Sequence, residues 1–389
     1  MPPKPGRVRG VVDHVIILDG TLSSLEPGQE TNAGLLVNLL REGGHSAHRT
    51  VYYEPGLQWE GWRNVISVAQ GKGLSRQIRR AYGWLASHYR PGDRIFLIGY
   101  SRGAYAVRSL AGVIDRVGLV RREHATERGV LLAWRHYKIA PDSPSSQAFA
   151  RRFCHPDAPI EMVGVWDTVK ALGLRLPLLW MLTDKRNAFH SPHLGAGIRH
   201  GFHALALNET RAVFQPVLWQ SPQGWAGNVE QVWFRGAHAD IGGQIGRFTA
   251  ARPLSNIPLV WMLDRAETLG LALPQGWRDR FPCDPTAPMV GTWRGYGKWF
   301  LLRHRRIIGR DPSERMHSTI PPRAAGRLRC HCTNADPSFI FRLEISSGGL
   351  GVENPQPFHK DSSCARSPSP PPSSPAHGTC PPTPTVRNP

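Results

Sequence analysis

Long apolar runs, cysteines and acidic residues are all scarce in this 389-residue chain. The longest apolar runs, such as Leu176–Leu182, fall far short of the roughly 20 residues that a membrane-spanning helix needs. The start, MPPKPGRVRGVVDHVIILDG, has no signal-peptide core, because Val15–Leu18 is short and Asp13 and Asp19 interrupt it. The expectation is a soluble protein made in the cytoplasm, with any export using a route that needs no signal peptide. Six cysteines (Cys154, Cys283, Cys330, Cys332, Cys364, Cys380) are too few and too scattered for a disulfide framework. Cys330-His331-Cys332 is the one tight cluster and lacks a second ligand pair, so no metal or other cofactor is expected. Acidic residues number 29 against 48 Lys and Arg, a formal net charge of +19. Such a surplus favours anionic partners, whether nucleic acid, lipid head groups or an acidic protein. No nucleic-acid-binding motif is recognisable, so nucleic acid is not the expected one.

What is present is organised around DRIFLIGYSRGAYAVRSLAGVI, Asp93 to Ile114. Arg94–Tyr100 is a β-branched and aromatic run that reads as a buried strand. Ala104, Val107, Leu110, Ala111 and Ile114 then recur at helical spacing. Between them stands Gly99-Tyr100-Ser101-Arg102-Gly103, a Gly-x-Ser-x-Gly in a strand, turn, helix context. A serine at the tip of such a turn needs unusual backbone angles and neighbours without a Cβ, which Gly99 and Gly103 supply. The turn presents Ser101 at a helix N-terminus, where negative charge is favoured.

A serine hydroxyl is a weak nucleophile until a base accepts its proton, and the base needs a carboxylate to fix its tautomer. The strand IEMVGVW, Ile160–Trp166, is followed directly by Asp167, and the strand Val229–Phe234 leads into a loop holding His238. Ser101, Asp167, His238 follow the chain order Ser, acid, His of α/β-hydrolases. Asp240, two residues past His238, is the rival carboxylate and reads as a loop-shaping or cap residue. The oxyanion donors are expected to be the Arg102 amide and an amide from the loop Asp19-Gly20-Thr21, with Gly20 and Thr21 as its candidates. The Arg102 side chain is left between a local ion pair and an anionic head group.

The rest of the chain fits an α/β protein with a mostly parallel sheet and helices on both faces. Val11–Thr21 reads as a first strand and its loop, Thr31-Asn32 as the cap of a helix ended by Gly43-Gly44, and His48–Tyr53 as a second strand. Gly56–Gly73 reads as a loop, Ser75–Tyr89 as a helix capped by Ser75, and Ser255–Leu271 as an amphipathic helix. In HGFHALALNETRAVFQPVLW a helix is expected through Leu205, Leu207 and Arg211 until Pro216 stops it. Gly291–Arg310 mixes tryptophans, leucines and isoleucines with arginines, and reads as a surface helix packed on the domain or as an interfacial segment lying on anionic lipid. Phe339–Ile345 has strand character. The domain reading is a basic leader over 1–10, one catalytic domain over 11–323, and a divergent Pro- and Ser-rich tail over 324–389. That tail is either disordered or a shifted reading frame.

The blocks IILDGT, TNAGLL, VYYEPG, YRPGDRIFLIGYSRGAYAVRSLAGVI, IEMVGVWDTV, NETRAVFQPVLW and WFRGAHADIGG together resemble the uncharacterised α/β-hydrolase domain family that includes the catalytic domains of type VI secretion phospholipase effectors. The resemblance runs from about Val11 to Arg323. It implies a serine esterase fold with Ser101 as nucleophile, Asp167 in the VWDTV block as acid and His238 before the Asp-Ile-Gly-Gly turn as base. The chain departs from the family pattern at Leu22, usually Trp, at Gln244, usually Gly, and throughout the tail. The expected activity is cleavage of carboxylic esters, of a phospholipase or lipase type through an acyl-enzyme, with a lipid or acyl-ester substrate and an anionic membrane surface as partners. The alternatives are a soluble esterase on small acyl esters and a non-catalytic hydrolase-fold protein that binds anionic partners.

Overall fold

The computed structural model describes residues 10–44, 46–56, 72–169, 194–220, 228–294, 297–298 and 300–320. Most of the leader, the loop after Gly56, the Leu176–Leu182 run, Cys330–Cys332, Phe339–Ile345 and the 324–389 tail lie outside the described residues.

Among the described residues, strands β1 (Asp13–Leu18), β2 (Arg49–Glu54), β3 (Arg94–Tyr100), β4 (Ile160–Trp166), β5 (Ile198–Ala206), β6 (Asn228–Phe234) and β7 (Glu314–Met316) form one sheet. Its order is β2-β1-β3-β4-β5-β6-β7, and every pairing is parallel. The register brings the strand ends level, with Leu18 opposite Gly99, Tyr100 opposite Trp166, Trp166 opposite Ala204 and Ala206 opposite Phe234.

Alternate residues of each central strand feed opposite layers, because side chains alternate across a pleated sheet. Ile16, Leu18, Ile95 and Leu97 pack with helices α2 (Lys72–His88), α3 (Ser101–Arg116), α4 (Glu127–Ile139) and α5 (Pro144–Phe153). Val15, Ile17, Phe96 and Ile98 pack with α1 (Asn32–Glu42) and α7 (Arg252–Thr268). Thr31 caps α1 as expected, its hydroxyl accepting the Gly34 amide at 3.0 Å. Helix α2 starts one turn before Ser75, which therefore lies inside it.

Two expectations fail. The region around Leu205 is not a helix: β5 runs through Ala206, buried on both faces, so its alternation is masked by apolar residues on each side. Leu207 and Arg211 lie past its end, followed by a short 3₁₀ turn, Ala212–Phe214. Of the two readings of Gly291–Arg310, the surface helix fails: its described residues form no α-helix, and part of the backbone is committed to an extended pairing. The Ala212 amide donates to Leu302 O at 2.9 Å and the His304 amide to Thr210 O at 2.8 Å, an antiparallel bridge centred on Arg211 and Arg303.

Candidate active site

In a parallel α/β sheet, loops at the C-terminal strand ends near a reversal of strand order form the natural crevice. Here that place lies between β1 and β3. Asp19, Ser101 and Asp167 each directly follow a strand, and His238 opens the short helix α6 (His238–Gly242) just past β6.

Ser101 has φ of 56°, the left-handed region that a side chain normally avoids. The flanking glycines make the turn possible. A Cβ on Gly99 would sit 2.7 Å from Gly103 O, and one on Gly103 would overlap the carbonyls of Leu18 and Asp19. Gly103 thus lets α3 start against the end of β1, which brings the Asp19-Gly20-Thr21 loop beside Ser101. A Cβ on Gly20 would lie 3.3 Å from the Ser101 Cβ.

His238 and Ser101 meet with Nε2 2.8 Å from Oγ, and His238 Nδ1 lies 2.6 Å from Asp167 Oδ2. All three residues are buried. The imidazole packs between Tyr100 and Phe214, at ring-centroid distances of 5.0 and 4.7 Å. Burial works against ionisation of Asp167, but the charge and hydrogen bonds of Arg306, with a further bond from His238, outweigh it and hold the carboxyl well below its usual range. The Arg306 guanidinium straddles the carboxylate, donating through Nη1 to Oδ1 and through Nη2 to Oδ2 at 2.8 Å. The Ala206 amide adds a bond to Oδ1 at 3.0 Å. A carboxylate without a proton can only accept, so His238 Nδ1 carries hydrogen and Nε2 is left to accept from Ser101.

The Asp240 carboxylate is occupied by the amides of Ala237 and Val290 at 2.8 and 2.7 Å. It shapes the loop, as expected. Of the expected oxyanion donors, Arg102 lies in the first turn of α3, where helix amides lack intrahelical acceptors. The Gly20 amide is engaged by Asp19 Oδ1 at 2.6 Å. That leaves Thr21 as the candidate donor of that loop, and its Oγ1 is buried without a hydrogen-bond partner among the described residues. The Arg102 guanidinium makes no ion pair among the described residues, and burial pulls it down to about 10.

Sequence reasoning missed four contributors. Arg306 was hidden among many arginines in a segment read as helical. Glu209, buried, binds Arg211 through Oε2 at 2.7 Å and accepts the His238 amide at 3.1 Å; the Glu-x-Arg spacing was a signal for the pair, though not for the histidine. Phe214 carried no signal. Gln244 donates to the carbonyls of Thr21 and Leu22 at 2.9 and 3.2 Å, and its Oε1 accepts from Tyr100 at 3.3 Å. The two departures from the family pattern, Leu22 and Gln244, thus touch each other. No group of described residues could hold a metal ion, and no described helix is long and apolar enough to cross a membrane.

The uncharacterized protein YEL023C of Saccharomyces cerevisiae is 29% identical over 227 residues, 52% of this chain and 32% of that protein. The chain therefore spans about a third of the length of this curated relative. The crystal structure of an uncharacterized protein from Pseudomonas aeruginosa is similar at 18% identity and a TM-score of 0.42, covering 70% of this chain and 49% of that one. The structure of the Tle1 effector bound to the VgrG spike from the type 6 secretion system is similar at 17% identity and a TM-score of 0.32, covering 60% of this chain and 51% of that one. The family model for the catalytic domain of Tle1-like phospholipase effectors of the type VI secretion system matches residues 13–265. With well over half its length matched in this way, the chain belongs to the Tle1-like phospholipase effector catalytic-domain family.

Proposed function

We propose that this chain hydrolyses the carboxylic esters of phospholipids through Ser101, His238 and Asp167, by way of an acyl-enzyme. The observation that carries this reading is the hydrogen-bonded line from Ser101 Oγ to His238 Nε2 at 2.8 Å and from His238 Nδ1 to Asp167 Oδ2 at 2.6 Å. In the first step Ser101 Oγ attacks the ester carbonyl while its proton passes to His238 Nε2. Asp167, held ionised by Arg306, stabilises the imidazolium. The oxyanion that forms is met by the amides of Arg102 and Thr21. Collapse of the intermediate expels the alcohol portion of the lipid, which takes the proton from His238. Water then enters, loses a proton to His238, and releases the fatty acid and free Ser101. Arg102, next to Ser101 in the chain and without a carboxylate partner among the described residues, favours a phosphate-bearing ester over a neutral one.

Labelling with a fluorophosphonate probe tests the chemistry, and product analysis on phosphatidylglycerol vesicles beside soluble p-nitrophenyl esters tests the substrate. The wild-type protein is expected to label and to release fatty acid. Ser101→Ala should abolish labelling and lower turnover by about 10⁶-fold. A Ser101→Ala protein that keeps full ester turnover would refute the proposal.

A further inference from the structure

The segment from Gly291 to Arg310 turns its buried and exposed residues to opposite purposes. Inward, Arg306 holds Asp167, and Phe300 stands edge-on to Phe214 at 5.7 Å, which in turn packs on His238. Outward, it carries most of the strongly exposed large apolar side chains of the described residues: Leu301 is 83% exposed, Leu302 70%, Trp293 62% and Ile307 57%. Single exposed apolar residues are ordinary, but these four lie on one short strap beside the residues that pack on the catalytic histidine. The strap contains no Asp or Glu, while Arg294, Lys298, Arg305 and Arg310 are all exposed. Of the four apolar residues, Trp293 is held in place: the Arg303 guanidinium lies 3.6 Å from its ring centroid and donates to Gly297 O at 2.8 Å.

We infer that this strap is a docking surface for an anionic phospholipid bilayer, seating the mouth of the site against the membrane. The inference rests on the phospholipase reading above. Charge complementarity selects a negative surface, and the aliphatic tips select one with an apolar layer beneath its head groups. Nucleic acid would satisfy the cations and leave Leu301, Leu302 and Ile307 in water.

The test uses the full chain carrying Ser101→Ala, so that vesicles stay intact and binding is read without turnover. Co-sedimentation with vesicles of phosphatidylglycerol and phosphatidylcholine should retain the protein, and pure phosphatidylcholine should not. Arg305→Glu with Arg310→Glu should weaken binding well beyond tenfold, since each cation near an anionic surface contributes about fivefold. Leu301→Ser with Leu302→Ser should also weaken it at least tenfold. Arg128→Glu with Arg135→Glu, exposed on α4, makes the same charge change elsewhere and should weaken binding far less. Melting curves confirm that each variant is folded. The inference is overturned if the parent does not sediment, if the control pair weakens binding as much as the strap pairs, or if the strap variants lose an oligonucleotide instead of vesicles. Fluorophosphonate labelling of the Ser101 protein is read separately, so failure of docking and failure of the esterase reading are distinguishable.

Discussion

Asp19 and Asp167 are the same residue in the same kind of place. Each directly follows a central strand of one parallel sheet, and each is buried. Their electrostatics are opposite. Asp167 meets a guanidinium, which overcomes burial and keeps it ionised. Asp19 is pushed up to about 6 by burial, only partly offset by hydrogen bonds from Thr31, Gly20, Tyr53 and Ser23. Neutral donors soften the cost of burying a charge, whereas a bidentate cation removes most of it. The carboxylate that is hydrogen-bonded to His238 has the cation. The one that braces the Gly20-Thr21 loop, with Thr31 Oγ1 at 2.6 Å and Tyr53 OH at 3.0 Å, does not need one.

The pH consequences have opposite signs. Asp167, depressed in the folded state, contributes stability that is present above its ordinary value of 3.8 and is lost as pH falls through its folded value. Asp19, raised, contributes stability that is full below 3.8 and is lost as pH rises through about 6.

The comparison breaks most completely when Asp167 is made to resemble Asp19. Arg306→Met leaves a buried carboxylate without its cation and should cost about 3–5 kcal/mol of stability in chemical denaturation. The loss should shrink as pH is lowered toward 5, where Asp167 can then take up a proton, and ester turnover at neutral pH should fall. A pH-independent loss would mean that packing, not charge, is what Arg306 supplies. Next in size, Asp19→Asn removes the titrating group and should flatten the fall in stability between pH 4 and pH 8 by on the order of 3 kcal/mol relative to wild type. Parallel stability curves for the two proteins would contradict this. The smallest effect is expected from Gln244→Ala, which frees the Thr21 and Leu22 carbonyls and should cost about 1 kcal/mol. If the loop it ties supplies the oxyanion donor proposed above, kcat should drop several-fold with KM little changed, and a change confined to KM would argue against that role.

The strand ends that carry Ser101, Asp167 and His238 were legible because each is announced locally, by an apolar run that stops at a turn. The reading of β1 and its loop succeeded for the same reason. Where the reading failed, the deciding partner was distant in the chain. The strand through Leu205 looks helical because burial on both faces erases the alternation that identifies a strand. Gly291–Arg310 has the composition of an amphipathic helix, yet its backbone pairs with Thr210–Ala212 and its Arg306 reaches Asp167, 139 positions earlier. Nothing in the order of residues distinguishes Arg306 from Arg303 or Arg305. Asp19 was read as part of a loop, and its raised proton affinity depends on enclosure that only the fold creates.

The position of Arg306 also bears on where this catalytic module ends. The family match stops at residue 265, and a fragment cut there would retain Ser101, Asp167 and His238. It would lack the counter-charge that keeps Asp167 ionised, the extended partner of Thr210–Ala212, and β7 at the sheet edge. The unit that holds the sheet and the Asp167 ion pair together is therefore longer than the segment recognisable by descent, and a truncation that keeps both must end beyond Met316, the last residue of β7.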